Sequence, residues 1–389
     1  MPIQLNSNVT ELKPYPFTKL ATLRKRLNDQ GIRVFDFSKG DPVEPTPAFI
    51  REALTKGIPA VSQYPAFKGT PELRTAIARY LERRFGVTLD AETQILQTNG
   101  SKEAIYNLAS ILIGPKSKKK TVICPNPGYP VMERSCLMFG ADYYPVNLKA
   151  EENFLLNLES LPSSVLEQAA CVWINYPHNP TGACCSREYL LRQYRICQQY
   201  GILLCSDECY VDMFLGAAPH PSALEVATEG VLAFHSCSKR SGMTGYRSGF
   251  VAGDKEVLRV YLSLRDAIGT ETSVMIQQAA VAAWSDDAHA TERQALFRAK
   301  RDRFQKFFAS LGLEMAPCEA TFYIWLKVPQ GMTGVTYADL LATSGIIVTP
   351  GEYFGEGCDD RVRVALVPSL AESEEAIAVW EKCHRQNSK

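Results

Sequence analysis

The sequence predicts an α/β protein: a mostly parallel seven-stranded sheet between helices, with a smaller α+β unit beside it. Three observations carry that expectation. Seven short apolar runs alternate with helical stretches between Thr93 and Gly253, the arrangement of an open sheet covered on both faces. Polar residues follow the ends of three of these runs, at Asn175, at Ser206 to Glu208 and at Ser236 to Arg240. After Trp284 the pattern changes to one long helical run and then an alternating strand, ATFYIWLKV, which marks a second folding unit.

The first well-marked element is a helix. Thr70 suits its N-cap and Pro71 its first position, Leu73, Ile77, Tyr80 and Leu81 form one apolar stripe, and Gly86 can end it. The runs TQILQT, KTVICP, DYYPVNL, ACVWINYP, GILLCSDE, VLAFHSCS and RSGFVAG then supply the strands. In the long helical run Leu296, Phe304, Phe307, Phe308 and Leu311 share a face. The chain closes with a helix around Tyr337 to Ala342, a strand at RVRVALV and a last helix near Glu372 to His384.

Composition narrows the classes of function. With 389 residues, 46% of them hydrophobic and 22% charged, the chain is long enough for two filled cores and is neither disordered nor fibrous in character. Lys plus Arg and Asp plus Glu both number 42, so no net field holds a nucleic acid or an anionic membrane, and small molecules are the expected partners. The 12 cysteines show no two-pair zinc spacing; they read as reduced thiols, and no metal is expected. No stretch approaches the roughly 18 apolar residues of a membrane helix and the N-terminus lacks a signal-peptide pattern, so the expected location is cytoplasmic.

In sheets of this kind ligands gather at the carboxyl ends of the strands. The segment SCSKRSGMTGYRSGF puts Lys239 just after a strand, between small hydroxyl residues and eight positions before Arg247. An amine held there is a nucleophile able to form a Schiff base with an aldehyde, and Ser236, Ser238 and Arg247 suit a phosphate. Aldehyde plus phosphate points to pyridoxal 5′-phosphate, whose ring nitrogen needs a buried carboxylate; Asp207 is the candidate. Asn179 and Tyr210 are donors of the right type for the phenolic oxygen, and Tyr129 in PNPGYP offers an aromatic face. In TNGSKEAIYNL, Gly100, Ser101 and Lys102 stand between a strand and a helix, where backbone N–H groups can hold a phosphate. Neither G-x-x-x-x-G-K-[ST] nor a convincing G-x-G-x-x-G occurs, so nucleotide chemistry has no support.

The set formed by SxSK with an arginine eight residues on, NxPHNPTG and D-x-x-Y resembles that of the class I/II aminotransferases, fold-type I pyridoxal-phosphate transferases, and the similarity runs from about Pro14 to the C-terminus. The resemblance implies Lys239 as the cofactor-bound, proton-shuttling lysine, Asp207 at the pyridine nitrogen, Asn179 and Tyr210 at the phenolic oxygen and Tyr129 against the ring. Around the phosphate it implies Gly100, Ser101, Lys102, Ser236, Ser238 and Arg247. Arg363 matches the arginine that clamps the substrate α-carboxylate, with Asn179 and Gly40 (in SKGDPVEPTP) beside it; Arg361, two residues earlier on the same sheet face, is its rival. Tyr64, in SQYPAFKGTPELR, resembles a tyrosine that reaches the cofactor phosphate of a neighbouring subunit, which implies a homodimer with shared active sites. The implied division is an N-terminal arm and part of the small domain over 1–45, a large cofactor-binding domain over 46–285 and a small C-terminal domain over 286–389.

A nearer resemblance, through LKPYPFTKL, SQYPAFKGTPELR, SKRSGMTGYRSGFVAGD, AAWSDDAHATERQALFRAKRD and ATFYIWL, is to the N-succinyldiaminopimelate aminotransferases of lysine biosynthesis. It implies ping-pong transfer of an amino group between glutamate/2-oxoglutarate and N-succinyl-LL-2,6-diaminopimelate. Aminotransferases for LL-diaminopimelate, aspartate or alanine look much the same, and a carbon–sulfur lyase on the same fold is a further alternative. For the distal end of a long substrate the available cations are Lys102, Lys68 and Arg240, with Phe67 and Tyr323 as walls.

Overall fold

All seven apolar runs form strands of one sheet in the computed structural model, which describes residues 3–12 and 17–387. Residues 13–16 of the LKPYPFTKL segment lie outside the described residues. Numbered along the chain, the strands are β1 Phe35–Asp36, β2 Ile95–Thr98, β3 Thr121–Asn126, β4 Asp142–Asn147, β5 Ala169–Asn175, β6 Leu203–Asp207, β7 Val231–Ser236 and β8 Gly249–Gly253. Four more follow: β9 Tyr323–Lys327, β10 Ile346–Ile347, β11 Thr349–Pro350 and β12 Arg361–Ala365.

The large sheet has the order β2-β8-β7-β6-β5-β3-β4. Its pairings are parallel except at β8, which runs against both β2 and β7. That one reversal positions the site. Because β8 is inverted, its amino end meets the carboxyl ends of its neighbours, with Gly249 opposite both Thr98 and Ser236. Arg247, just before β8, therefore arrives at the same rim as the residues that follow β2, β6 and β7. The inner strands are buried on both faces, as their unbroken apolar runs require, while the edge strand β4, DYYPVN, is largely exposed.

The helix Pro71–Phe85 begins and ends at the expected residues. Thr70 Oγ1 accepts a hydrogen bond from the Leu73 N–H at 3.3 Å, and Gly86 closes the helix in the left-handed conformation at φ 68°. Leu73, Ile77, Tyr80 and Leu81 face the core of the large sheet.

A second core lies between the sheet β11-β12-β9 and the helices Ala288–Ser310 and Leu370–Asn387. Here two expectations are corrected. On the long helix Phe297, not Leu296, joins Phe304, Phe307 and Phe308 in the core, since one residue step turns a side chain by about 100° around the axis. In β9 the residues Tyr323 to Leu326 are all buried rather than alternating, because the strand is covered on both faces, Trp325 packing with the large-sheet core and its neighbours with the second. The N-terminal strand β1 pairs in parallel with β10, so residues near 35 belong to the same packing unit as the C-terminal third of the chain. Among the described residues no helix is long and apolar enough to cross a membrane.

Candidate active site

At the rim where the strand ends meet lies a cavity of about 650 Å³. One end of it is built to hold an anion. The helix Ser101–Leu112 starts at Gly100, which has no side chain to cap it, so the N–H groups of its first turn face the cavity end at the positive pole of the helix. Gly100 sits at φ 77°, a backbone conformation that favours glycine, and a Cβ there would come 2.5 Å from Arg247 Nη2 and push it aside. Arg247 is held by donating to the Thr244 carbonyl at 2.9 Å. Burial, together with the charges of Arg247 and Arg134, pushes the Lys102 ammonium down from its ordinary range. Ser236 and Ser238 line the same end, the Ser238 N–H donating to Ser236 Oγ at 3.1 Å.

Asp207 stands at the floor, at the end of β6. It is buried, and its Oδ1 accepts from the Cys209 N–H at 3.2 Å. Burial pushes this carboxyl up, against a pull from Cys209 and His235. Behind it, His235 Nε2 lies 3.1 Å from Glu208 Oε2. Burial pushes Glu208 up too, but His235 and the Ala223 N–H, which donates to Oε1 at 2.7 Å, outweigh it and hold Glu208 below the ordinary range. Asn175 ties the strand ends together: its Nδ2 donates to the Asp207 carbonyl at 2.8 Å, and its Oδ1 accepts from the Asn179 N–H at 3.1 Å.

Lys239 lies on the one-turn helix Cys237–Arg240 that follows β7, and its Nζ donates to the Gly40 carbonyl. Gly40 has no room for a Cβ, which would run into the Tyr323 hydroxyl. That hydroxyl is 2.9 Å from the hydroxyl of Tyr210. Burial and Tyr323 push the Tyr210 phenol well up, so it keeps its proton and can donate, although Arg363 pulls the other way.

Arg363, on β12, forms the opposite wall. Nη1 donates to Asn179 Oδ1 at 2.9 Å and Nη2 to the Ser38 carbonyl at 2.6 Å. Its guanidinium lies 4.1 Å from the ring centroid of Tyr323 and 4.6 Å from that of Phe354. Arg361 is outside this cavity, near Glu314 and Asp360.

The structure thus gathers Lys239, Asp207, Tyr210, Asn179, Arg363 and Gly40 in one cavity, with Tyr129, Ser101, Lys102, Ser236, Ser238 and Arg247 on its remaining walls and Gly100 directly behind Arg247. Tyr64 is apart from it, 97% exposed on the surface of the single chain. Three residues named for the distal site do not line it. Lys68 pairs with Glu92 at 3.1 Å, Phe67 lies elsewhere, and Arg240 is buried against Asp212 at 2.8 Å. Lys239 and Arg240 are consecutive on a helical turn, so their side chains point about 100° apart and only one can face the cavity. Sequence reasoning missed Lys39, Asp41, Cys209, Thr244 and Phe354. Lys39 and Asp41 flank Gly40 and were findable by charge; Phe354, in GEYFGEG, carries no signal of its own.

The donor set fits pyridoxal 5′-phosphate. Arg247, the first turn of Ser101–Leu112, Ser236 and Ser238 would hold its phosphate, Asp207 its ring nitrogen, Tyr210 and Asn179 its phenolic oxygen, and Lys239 its aldehyde carbon. Seating a cation against Asp207 would also offset the burial that pushes its carboxyl up.

The family model described as aminotransferase class I and II matches residues 32–379. The chain is 36% identical over 382 residues to LL-diaminopimelate aminotransferase 2 of Nostoc sp., covering 96% of this chain and 97% of that protein. Among solved structures it is similar to substrate-bound BacF from Bacillus subtilis, with a TM-score of 0.92 and 29% identity, covering 99% of this chain and 98% of that one. It is also similar to a probable N-succinyldiaminopimelate aminotransferase from Thermus thermophilus, with a TM-score of 0.87 and 26% identity, covering 94% and 99% of the two chains.

Proposed function

The chain belongs to the class I and II aminotransferases, and from that premise we propose that it moves an amino group between LL-2,6-diaminopimelate and a 2-oxo acid, 2-oxoglutarate being the expected partner. It is a pyridoxal-phosphate-dependent enzyme acting on amino and 2-oxo acids. The observation that carries the narrower reading is the near full-length similarity to an LL-diaminopimelate aminotransferase. This displaces the succinylated compound as first choice; that compound stays as the second reading because of the similarity to the Thermus thermophilus protein.

Bound pyridoxal 5′-phosphate supplies an aldehyde carbon that carries the amino group and a ring that takes up the electron pair left when the substrate Cα–H bond breaks. The chain's own groups do the rest. Arg363, its planar fork fixed by Asn179, Ser38 and the Tyr323 ring, holds the substrate α-carboxylate. Lys239 Nζ, within reach of the Gly40 carbonyl, takes the proton from the substrate α-carbon. Asp207 holds positive charge at the floor, and Tyr210 keeps its proton as a donor. Tyr323 and Phe354 cover Arg363 and shut water away from its bonds with a carboxylate.

The test is a half-reaction screen in which single amino acids are added to the purified holoenzyme and the cofactor absorbance is followed. LL-diaminopimelate and glutamate should convert it. Response to succinylated diaminopimelate but not the free compound would move the assignment to the second reading, and response to aspartate or alanine alone would remove both. Release of pyruvate and ammonia without an amino acceptor would make the protein a lyase. Borohydride reduction and peptide mapping should find the cofactor at Lys239.

The same reading takes the active unit to be a homodimer in which Tyr64 serves the neighbouring site. Its support is the exposure of Tyr64 together with Val61 and Ile58 on one stretch of chain. Mixing inactive Tyr64→Ala and Lys239→Ala proteins should restore part of the activity, since one of the two sites in a mixed dimer is then intact.

A further inference from the structure

Diaminopimelate differs from glutamate at its far end, where it carries a second α-amino acid group, with one carboxylate and one ammonium. A site that reads that end needs a cation and an anion side by side. Lys39 and Asp41 supply them. They flank Gly40, whose carbonyl accepts from Lys239 Nζ, so both lie on the segment that the reacting amine touches. Both line the active cavity, and both also line a second cavity of about 490 Å³, so they stand where the two share a wall.

The other charged groups of that second cavity already have partners. Arg24 lies 3.7 Å from Asp36, and Glu372 accepts from the N–H and hydroxyl of Ser369 at 2.9 and 2.7 Å. Lys39, half-buried, makes no ion pair or side-chain hydrogen bond with any described residue. Asp41 is oriented by the Thr244 hydroxyl, which donates to Oδ1 at 2.6 Å. Covering a lysine without an anion is unfavourable, and a ligand carboxylate would relieve it.

We infer that Lys39 and Asp41 are specificity-determining residues that bind the distal amino acid group of the substrate, Lys39 taking its carboxylate and Asp41 its ammonium. The inference rests on the diaminopimelate reading and extends it. It also accounts for a preference between the two pimelate substrates. Succinylation converts the distal ammonium to a neutral amide and adds a carboxylate, which removes the partner of Asp41 and places a like charge near it.

The experiment compares wild type, Lys39→Met, Lys39→Arg and Asp41→Asn holoenzymes. Lys39→Met should lower kcat/KM for LL-diaminopimelate relative to glutamate by roughly tenfold or more, the loss of one charge-assisted hydrogen bond, with the change carried by KM. Lys39→Arg should recover most of it. Asp41→Asn should raise the ratio of succinylated to free diaminopimelate turnover. Pimelate, a seven-carbon dicarboxylate with no amine to react, gives a readout without turnover: by calorimetry it should bind the wild-type holoenzyme and bind Lys39→Met about tenfold more weakly. Unchanged substrate ratios and unchanged pimelate affinity in Lys39→Met overturn the inference. A wild type that ignores LL-diaminopimelate overturns the substrate reading instead, and pimelate then still decides whether Lys39 holds a distal carboxylate. If Lys39→Met fails to fold, Lys39→Gln carries the same comparison.

Discussion

Asp207 and Asp212 are both buried, lie five residues apart, and live in opposite electrostatic surroundings. Asp212 has every partner it needs within the chain. Arg84 lies 2.9 Å from one oxygen and Arg240 2.8 Å from the other, and the Tyr80 hydroxyl donates to it at 2.8 Å. Asp207 has hydrogen bonds but no ion pair with a described arginine or lysine, and burial leaves its carboxyl raised. The contrast separates a charge cluster closed within the protein from a carboxylate that faces a cavity. The cations near Asp212 are neutralised inside the protein; Lys239, Arg247 and Lys102 line the same cavity as Asp207.

The largest expected effect breaks the completed cluster. Asp212→Asn leaves Arg84 and Arg240 buried without their carboxylate, and removing one member of a buried ion pair costs about 3–5 kcal/mol. Urea unfolding should show that loss, while KM for glutamate in the folded enzyme moves little by comparison. A small change in stability would mean that Asp287, which also pairs with Arg240, already suffices.

The mirror experiment is Asp207→Asn. Here catalysis should fall by about 10²–10³ in kcat, the effect typical of removing one preorganised electrostatic partner. Stability of the cofactor-free chain should hold or rise slightly, because a buried carboxyl whose burial outweighs the pull of Cys209 and His235 is replaced by a neutral amide. A stability loss like that of Asp212→Asn would show the two aspartates to be doing the same job.

A smaller effect is expected at Arg363. Arg363→Lys keeps the charge but loses the fork held by Asn179 and Ser38, so kcat/KM should drop by roughly tenfold to a hundredfold, as for one lost charge-assisted hydrogen bond. The same exchange at Arg361, two residues away and outside the cavity, should leave kcat/KM near wild type. Equal losses would return Arg361 to the site.

This comparison also marks what could be read in the sequence. The inner strands were legible because a strand buried on both faces is an unbroken apolar run, and the rim was legible because β6 ends in Asp207 and β7 is followed within one helical turn by Lys239. Whether a charge is completed or left open was not legible. Arg240 looked available for a substrate because it adjoins Lys239, and only the packing of Asp212, Asp287 and the Tyr80 ring around it shows its charge to be taken. Lys39 is the converse case: its charge beside Gly40 is plain in the sequence, but that no acidic residue among those described comes to meet it is not. Phe297 displaced Leu296 because helical phase, not apolarity, selects the buried residue.

The smallest effect is one of pH. Burial by itself pushes the Asp212 carboxyl up, and Arg240 and Arg84, with the Tyr80 hydrogen bond, outweigh it and hold the group below the ordinary carboxylate range. A carboxyl that binds protons less tightly in the folded chain than in the unfolded one contributes stability that is fully present above the usual aspartate value of about 3.9. That contribution is lost as pH falls through the lower, folded value. Between neutrality and about pH 5 the urea midpoint should therefore not respond to this group, and below about pH 4 it should decline. Glu208 is also held low and titrates in the same direction, so the wild-type curve alone cannot assign the decline. The difference between wild type and Asp212→Asn can: the variant should start lower and fall less steeply in acid, the two curves converging as the native carboxyl is protonated. Parallel curves would mean that Asp212 keeps the same proton affinity folded and unfolded, and the electrostatic contrast with Asp207 would then lose its basis.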